Sequence, residues 1–192
     1  MNIKTQNIFV ATLLGCLLLS AGVKAQFTRI GGGLTFSPGV DNLTYETGNP
    51  GLNFRGVFEL GDKFWAIPSL TFYIPKTKTE LSSGDTRRTF FSSIDANVTY
   101  TLTTESTLLF YALGGVNLTG LYNAYKSDDP SLENIFKALP GINIGTGIEM
   151  LVADDINAFI QIKYVVGMPP AQYLVISFGV HYYITGRRYK SW

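Results

Sequence analysis

Residues 173–184 read Tyr-Leu-Val-Ile-Ser-Phe-Gly-Val-His-Tyr-Tyr-Ile, and they constrain the fold more than any other stretch. Leu174, Ile176, Phe178, Val180, Tyr182 and Ile184 share one parity. Tyr173, Val175, Ser177, Gly179, His181 and Tyr183 share the other. A period of two, rich in β-branched and aromatic residues, marks a strand. At roughly 3.3 Å per residue the run is long enough to cross a bilayer when tilted. Seven earlier stretches repeat the design. The expected fold is therefore all-β: an eight-stranded antiparallel up-and-down transmembrane β-barrel, closed by this last strand.

The start of the chain fits export. Met1-Asn2-Ile3-Lys4 precedes an apolar run over 8–19 and an exit at Val23-Lys24-Ala25. These are the parts of a secretory signal peptide over 1–25, with cleavage before Gln26. A retained anchor is the alternative, but the apolar run is short for a spanning helix. The one cysteine, Cys16, lies in this leader, so the mature chain has no disulfide and no thiol chemistry. Lys4 and Lys24 also fall there, leaving 13 basic against 14 acidic residues. That balance exerts no general pull on nucleic acid. No later segment reaches 18 consecutive apolar residues, so the 46% hydrophobic content has to be accommodated by a sheet.

Strands are expected over 27–37, 51–60, 64–75, 89–102, 107–122, 140–151, 157–167 and 173–184. Between them, 61–63, 103–106 and 153–155 are short turns. Residues 38–50, 76–88 and 123–139 form long polar loops, and 168–172 is a medium one. Pro68 lacks an amide proton and predicts a bulge or irregular pairing in the third strand. In the third loop, Asp129-Pro130 is placed to cap a short helix with Leu132, Ile135 and Phe136 on one face. Alternating long and short connections match an outer-membrane meander, with a basic tail over 185–192.

Alternation alone leaves two orientations, a membrane barrel or a soluble calyx with its apolar face inward. Charge location favours the membrane. Within the expected strands the charged residues are Arg29, Arg55, Glu59, Asp95, Glu149 and Lys163; the rest fall in loops, turns and tail. A water-facing wall would carry Lys and Glu throughout. The polar face is instead mostly Gly, Ser, Thr and Asn, and the apolar face is nearly charge-free, as lipid requires. Two aromatic belts are expected. Phe27, Phe58, Phe64, Trp65, Tyr100 and Tyr182 gather at the short-turn rim, and Phe36, Phe72, Phe90, Tyr122 and Tyr164 at the long-loop rim.

The chain resembles the small eight-stranded outer-membrane barrels of the OmpX/OmpA-like type, and in particular the β-barrel group common in Bacteroidota. The resemblance covers nearly all of 26–184 and implies the cell outer membrane as the location. Ser177, Gly179, Tyr182 and Ile184 resemble the signal read by barrel-assembly machinery. Here the chain continues eight residues past Ile184, whereas many such proteins end at the closing aromatic.

No catalytic, cofactor-binding or metal-binding set emerges. His181 is the only histidine and faces the lumen, where a packed hydrogen-bonded role is the ordinary one. Asp128-Asp129 and Asp154-Asp155 are turn or loop acids that lack the further oxygen ligands calcium needs. The inward charges are expected in two layers, Arg29, Glu59, Glu149 and His181 near the short turns and Arg55, Asp95 and Lys163 midway, with Arg29 pairing Glu59 on its hairpin partner. Burial without a partner is costly, so ion pairs should block the lumen. The expected role is a non-conducting anchor for surface loops that meet a surface or envelope partner, in contact with outer-membrane lipid. The alternative is a small lipid-modifying enzyme of the acyltransferase or deacylase type. A pore is disfavoured, because an eight-stranded interior is largely filled by side chains.

Overall fold

The computed structural model describes residues 25–37, 49–79, 86–105, 107–126, 134–167 and 172–184. The leader before Ala25, most of the long loops and the tail 185–192 lie outside them. The described residues form nine strands: β1 (Gln26–Ser37), β2 (Asn49–Glu59), β3 (Phe64–Tyr73), β4 (Lys76–Thr79), β5 (Thr86–Glu105), β6 (Leu108–Lys126), β7 (Ile135–Ala153), β8 (Ile156–Gly167) and β9 (Tyr173–Tyr183). All pairings are antiparallel. Sequence neighbours pair except β3 and β4, β9 pairs with β1, and β3 pairs with β5, so the sheet closes as an eight-stranded barrel. β4 pairs only with β5 and prolongs the path of β3 beyond the break at Ile74 and Pro75.

The register sets the shape. From Phe64, partners run through Tyr100, Ala112, Thr146, Ile162, Ile176, Phe36 and Pro50. The circuit returns to the same path at Ile74, whose amide donates to the Pro50 carbonyl at 2.9 Å, ten residues from its start. Eight strands about 4.8 Å apart with that stagger tilt by about 40°, within the range of transmembrane barrels. Bulges occur at Phe27/Arg29, Thr101/Thr103 and Leu151/Ala153, all near the short-turn end. Bulges add local twist at rims. Pro68 behaves differently. It pairs with Ala96 on β5, while the β2 ladder skips from Arg55–Ser69 to Phe58–Ala66 with no register shift. The irregularity is a gap, because the missing donor faces β2.

At the closing seam Gly33 lies opposite Gly179. A Cβ on Gly33 would come within 2.1 Å of the Phe178 carbonyl oxygen, and one on Gly179 within 2.1 Å of that of Gly32. Side chains there would have to leave the backbone path, so glycine permits the tight inward curve.

Burial is inverted relative to a soluble protein. Ile30, Leu34, Leu52, Phe54, Ile94, Ile142, Ile144, Ile160, Phe178 and Val180 are exposed on the outer face, while Arg29, Arg55, Asp95, Asn117, Asn143, Glu149 and Lys163 are buried within. This excludes the calyx, whose apolar face would point inward.

Three expectations are corrected. The central strands are longer than alternation suggested, at 20 residues for β5 and 19 each for β6 and β7. Their extensions bring Arg87, Arg88, Glu105, Lys126 and Lys137 into strands, and β4 does the same for Lys76 and Lys78. Ile135 and Phe136 belong to β7, not to a helix. The proposed cap at Asp129-Pro130 and Leu132 fall outside the described residues. Trp65 is not in the aromatic belt: it is 5% exposed and faces the lumen. It shares the parity of Ile67, Ser69 and Thr71, which sets its direction.

Candidate functional site: the barrel lumen

The inward positions of the strands converge on one column of side chains. Near the short-turn end Val57, Trp65 and Ile67 form an apolar cluster with Leu109 against them. Beside it lies Glu149. Arg29 Nη1 donates to Glu149 Oε2 at 2.6 Å, and Asn157 Nδ2 donates to the same oxygen at 3.2 Å. His181 Nδ1 approaches Glu149 Oε1 at 2.8 Å without the alignment of a hydrogen bond. The Arg29 guanidinium lies 4.6 Å from the Trp65 ring centroid and 5.2 Å from that of Tyr183. Aromatic faces thus share the cation with the carboxylate.

Arg55 stands further up and has no carboxylate partner among the described residues. Its Nε donates to Asn53 Oδ1 at 2.7 Å and its Nη1 to Gln161 Oε1 at 3.1 Å. Its guanidinium lies 3.9 Å from the centroid of the Phe159 ring, which stacks on His181. Neutral oxygens and a π face hold this charge.

Asp95 centres the next layer. Its Oδ1 accepts from Asn117 Nδ2 at 2.7 Å and Asn143 Nδ2 at 2.8 Å, and pairs with Lys163 Nζ at 2.7 Å. Its Oδ2 accepts from Ser69 at 3.3 Å and Ser93 at 3.4 Å. Toward the long-loop end Val165, Tyr173 and Val175 form a second apolar cluster, packed against Phe91. Phe91 stacks on Tyr73 at 4.3 Å and meets Tyr173 edge-on at 5.2 Å.

The expected residues therefore come together only in part. Arg29, Glu149 and His181 meet, and Asp95 meets Lys163. Glu59 does not join: Arg29 takes Glu149, 120 residues away, in place of its hairpin partner. The two oppose across the lumen, a relation that adjacent-strand reasoning does not reach. Trp65, Phe91 and Phe159 were missed as lumen residues although their parity places them inward. Of the assembly-signal residues, Ser177 is buried, Gly179 sits at the seam, and Tyr182 and Ile184 face outward. No group of three or more His, Cys, Asp or Glu suited to a metal occurs among the described residues.

The geometry is similar to known barrels. Ail of Yersinia pestis, the attachment invasion locus protein, superposes with a TM-score of 0.57 at 12% identity, over 81% of this chain and 97% of that one. The N-terminal barrel domain of OprF from Pseudomonas aeruginosa gives 0.57 at 14%, over 83% and 99%. Neisserial surface protein A gives 0.57 at 15%, over 82% and 97%. This is the fold of the small outer-membrane β-barrels of the OmpX/OmpA-like type. At such identities the likeness concerns the fold. No family model matches the chain, and no curated protein does.

Proposed function

We propose that the chain is an outer-membrane barrel with a closed, non-conducting lumen that anchors surface loops for a structural or binding role. The observation that carries this is the sequence of layers along the lumen. An apolar cluster with Trp65, the Glu149 group, Arg55 with Gln161, the Asp95 group and the Tyr73–Phe91–Tyr173 rings succeed one another with buried side chains. Ions crossing such a column would have to displace paired charges and stacked rings together. His181 is fully buried between Phe159 and Glu149, away from the lipid face, which weighs against lipid-modifying chemistry.

Planar-bilayer recording tests the closed lumen. The purified chain should give no steady single-channel current, and a current of porin size would overturn the reading. The anchoring role is tested by removing 127–133, a cut that spares Ile135 and Phe136 in β7. The shortened chain should keep heat-modifiable migration in gels and lose binding to outer-membrane partners captured by the intact chain.

A further inference from the structure

The short-turn rim carries a charge pattern that the lumen does not use. Its three turns read Gly61-Asp62-Lys63, Thr103-Thr104-Glu105-Ser106 and Ala153-Asp154-Asp155, four acids against one base. Asp154 is exposed and Asp155 half-buried. Just inside the mouth, Asn157 Oδ1 and Thr101 Oγ1 are buried acceptors without hydrogen-bond partners among the described residues. Asn157, two residues from Asp155, is 8% exposed. Thr101 is 7% exposed, and its amide donates to the Lys63 carbonyl at 2.9 Å. Carboxylates and orphaned oxygens at one end of the barrel are matched by a cationic donor.

The chain attaches such a donor at this end. The Tyr183 amide donates to the Asp155 carbonyl and the Ile184 amide to that of Thr28, both at 2.9 Å. Among the described residues these are the last rungs of both ladders of β9. The eight residues that follow, Thr185-Gly186-Arg187-Arg188-Tyr189-Lys190-Ser191-Trp192, contain three bases and no acid. Their point of attachment is thus the side of the Asp154–Asp155 turn. At about 3.4 Å per residue, Arg187 and Arg188 lie within about 10–14 Å of Ile184. Lys190 has a reach of about 20 Å, more than the barrel diameter of about 16 Å set by eight strands at this tilt. Every short turn is within range. A tether of this length presents its charges to the rim at an effective concentration on the order of millimolar.

We propose that the short-turn rim is the seat of this chain's own basic tail, 185–192, with Arg187 and Arg188 on the Asp154–Asp155 turn. Guanidinium groups pair with carboxylates in a forked geometry, and their remaining donors suit neutral oxygens such as Asn157 Oδ1. The rivals for the tail are lipid phosphates and an anionic partner beside the short turns. Both are anions, which the acids of the rim repel while they attract the tail. Seated there, the tail ties the end of β9 to the turn that opens β8 and covers the mouth below Trp65. The seat lies outside the lumen and at the opposite end from the long loops, so it is independent of both the closed column and the anchoring role.

Disulfide trapping in the full chain tests it. Cys16, the only natural cysteine, is replaced by serine, Ala153→Cys and Tyr189→Cys are introduced together, and heat-modifiable migration verifies folding. Mild oxidation should link the two positions within one chain, read as a mobility shift that reductant reverses. The yield should fall several-fold with Asp154→Lys and Asp155→Lys together. It should recover when Arg187→Glu and Arg188→Glu are added, since the swap restores opposite charges. It should also fall several-fold between about 0.1 and 1 M salt, as the Debye length drops from about 10 to 3 Å. Phosphatidylcholine and phosphatidylglycerol vesicles should give equal yields. A yield indifferent to the charge reversal, a reversal that the swap does not rescue, or links between chains alone would overturn the proposal. So would a link lost in phosphatidylglycerol, which would assign the tail to lipid phosphates. None of these outcomes bears on conductance, so the lumen reading stands or falls separately.

Discussion

The two buried carboxylates of the lumen are held in opposite ways. Asp95 is surrounded by small polar donors from β3, β5, β6 and β7, and both its oxygens are engaged. Glu149 is surrounded by charge and rings. Around it His181 Nδ1 and Glu149 Oε1 face each other at 2.8 Å, while Arg29 Nε, Asn157 Oδ1 and His181 Nε2 are buried without hydrogen-bond partners. Orphaned groups of this kind are costly unless water reaches them. The difference follows position. Asp95 lies deep in the lumen, where solvation has to be built from Asn and Ser side chains. Glu149 lies near the short-turn rim, where Trp65 and Tyr183 faces share the Arg29 charge. A narrow lumen thus accommodates a buried ion pair either by saturating it with neutral donors or by placing aromatic faces against the cation.

The largest effect is expected at Asp95. Asp95→Ala leaves Lys163 charged and buried and frees four further donors, a loss of about 3–5 kcal/mol. Urea titration followed by heat-modifiable migration reads it. Adding Lys163→Met to Asp95→Ala should recover more than half of the loss. A double variant no better than the single one would mean that the neutral donors, not the charge, dominate this layer.

Glu149→Ala should cost less, about 2–3 kcal/mol, because Arg29 keeps two aromatic faces when its carboxylate is gone. The same titration compares the two sites directly. A loss at Glu149 equal to or greater than that at Asp95 would break the distinction and show that ring faces contribute little to holding Arg29. Trp65→Leu on the Glu149→Ala background separates the contributions, since it removes one face while keeping an apolar side chain.

Much of this arrangement can be read from parity. The eight-strand circuit, the inward and outward faces, the aromatic rims apart from Trp65, and the burial of Arg29, Arg55, Asp95, Glu149, Lys163 and His181 all follow from a period of two and from where charge is tolerated. Parity stops at the membrane boundary. Beyond Phe90 and Tyr122 the β5–β6 hairpin meets water, both faces accept polar residues, and alternation no longer marks a strand; Arg87, Arg88, Tyr125 and Lys126 therefore resemble a loop. Partner choice across the lumen is hidden for a different reason. Which side chains oppose depends on the stagger of ten residues around the whole barrel, a closed-circuit property that no single hairpin carries. Arg29 and Glu149 are level only because that stagger makes them so, and the neighbouring pair Arg29–Glu59 is what a hairpin alone suggests.

That contrast yields the smallest predicted effect. If Arg29 paired with Glu59, Glu59→Ala would strand a buried cation and cost several kcal/mol. In the structure Glu59 is half-buried at the end of β2, opposite Gln26 and Trp65 in register, while Arg29 holds Glu149 at 2.6 Å. A carboxylate at a wet rim keeps its hydration, and its attraction to a charge already paired is weak. Glu59→Ala should therefore shift stability by about 1 kcal/mol or less, in the range of exposed pairs. The decisive measurement is the double-mutant coupling of Arg29→Met with Glu59→Ala against that with Glu149→Ala, each read by urea titration. Coupling should be large for Glu149 and near zero for Glu59. The reverse would put the partner back on the hairpin and move Glu149 into the role of a hydrated neighbour of His181.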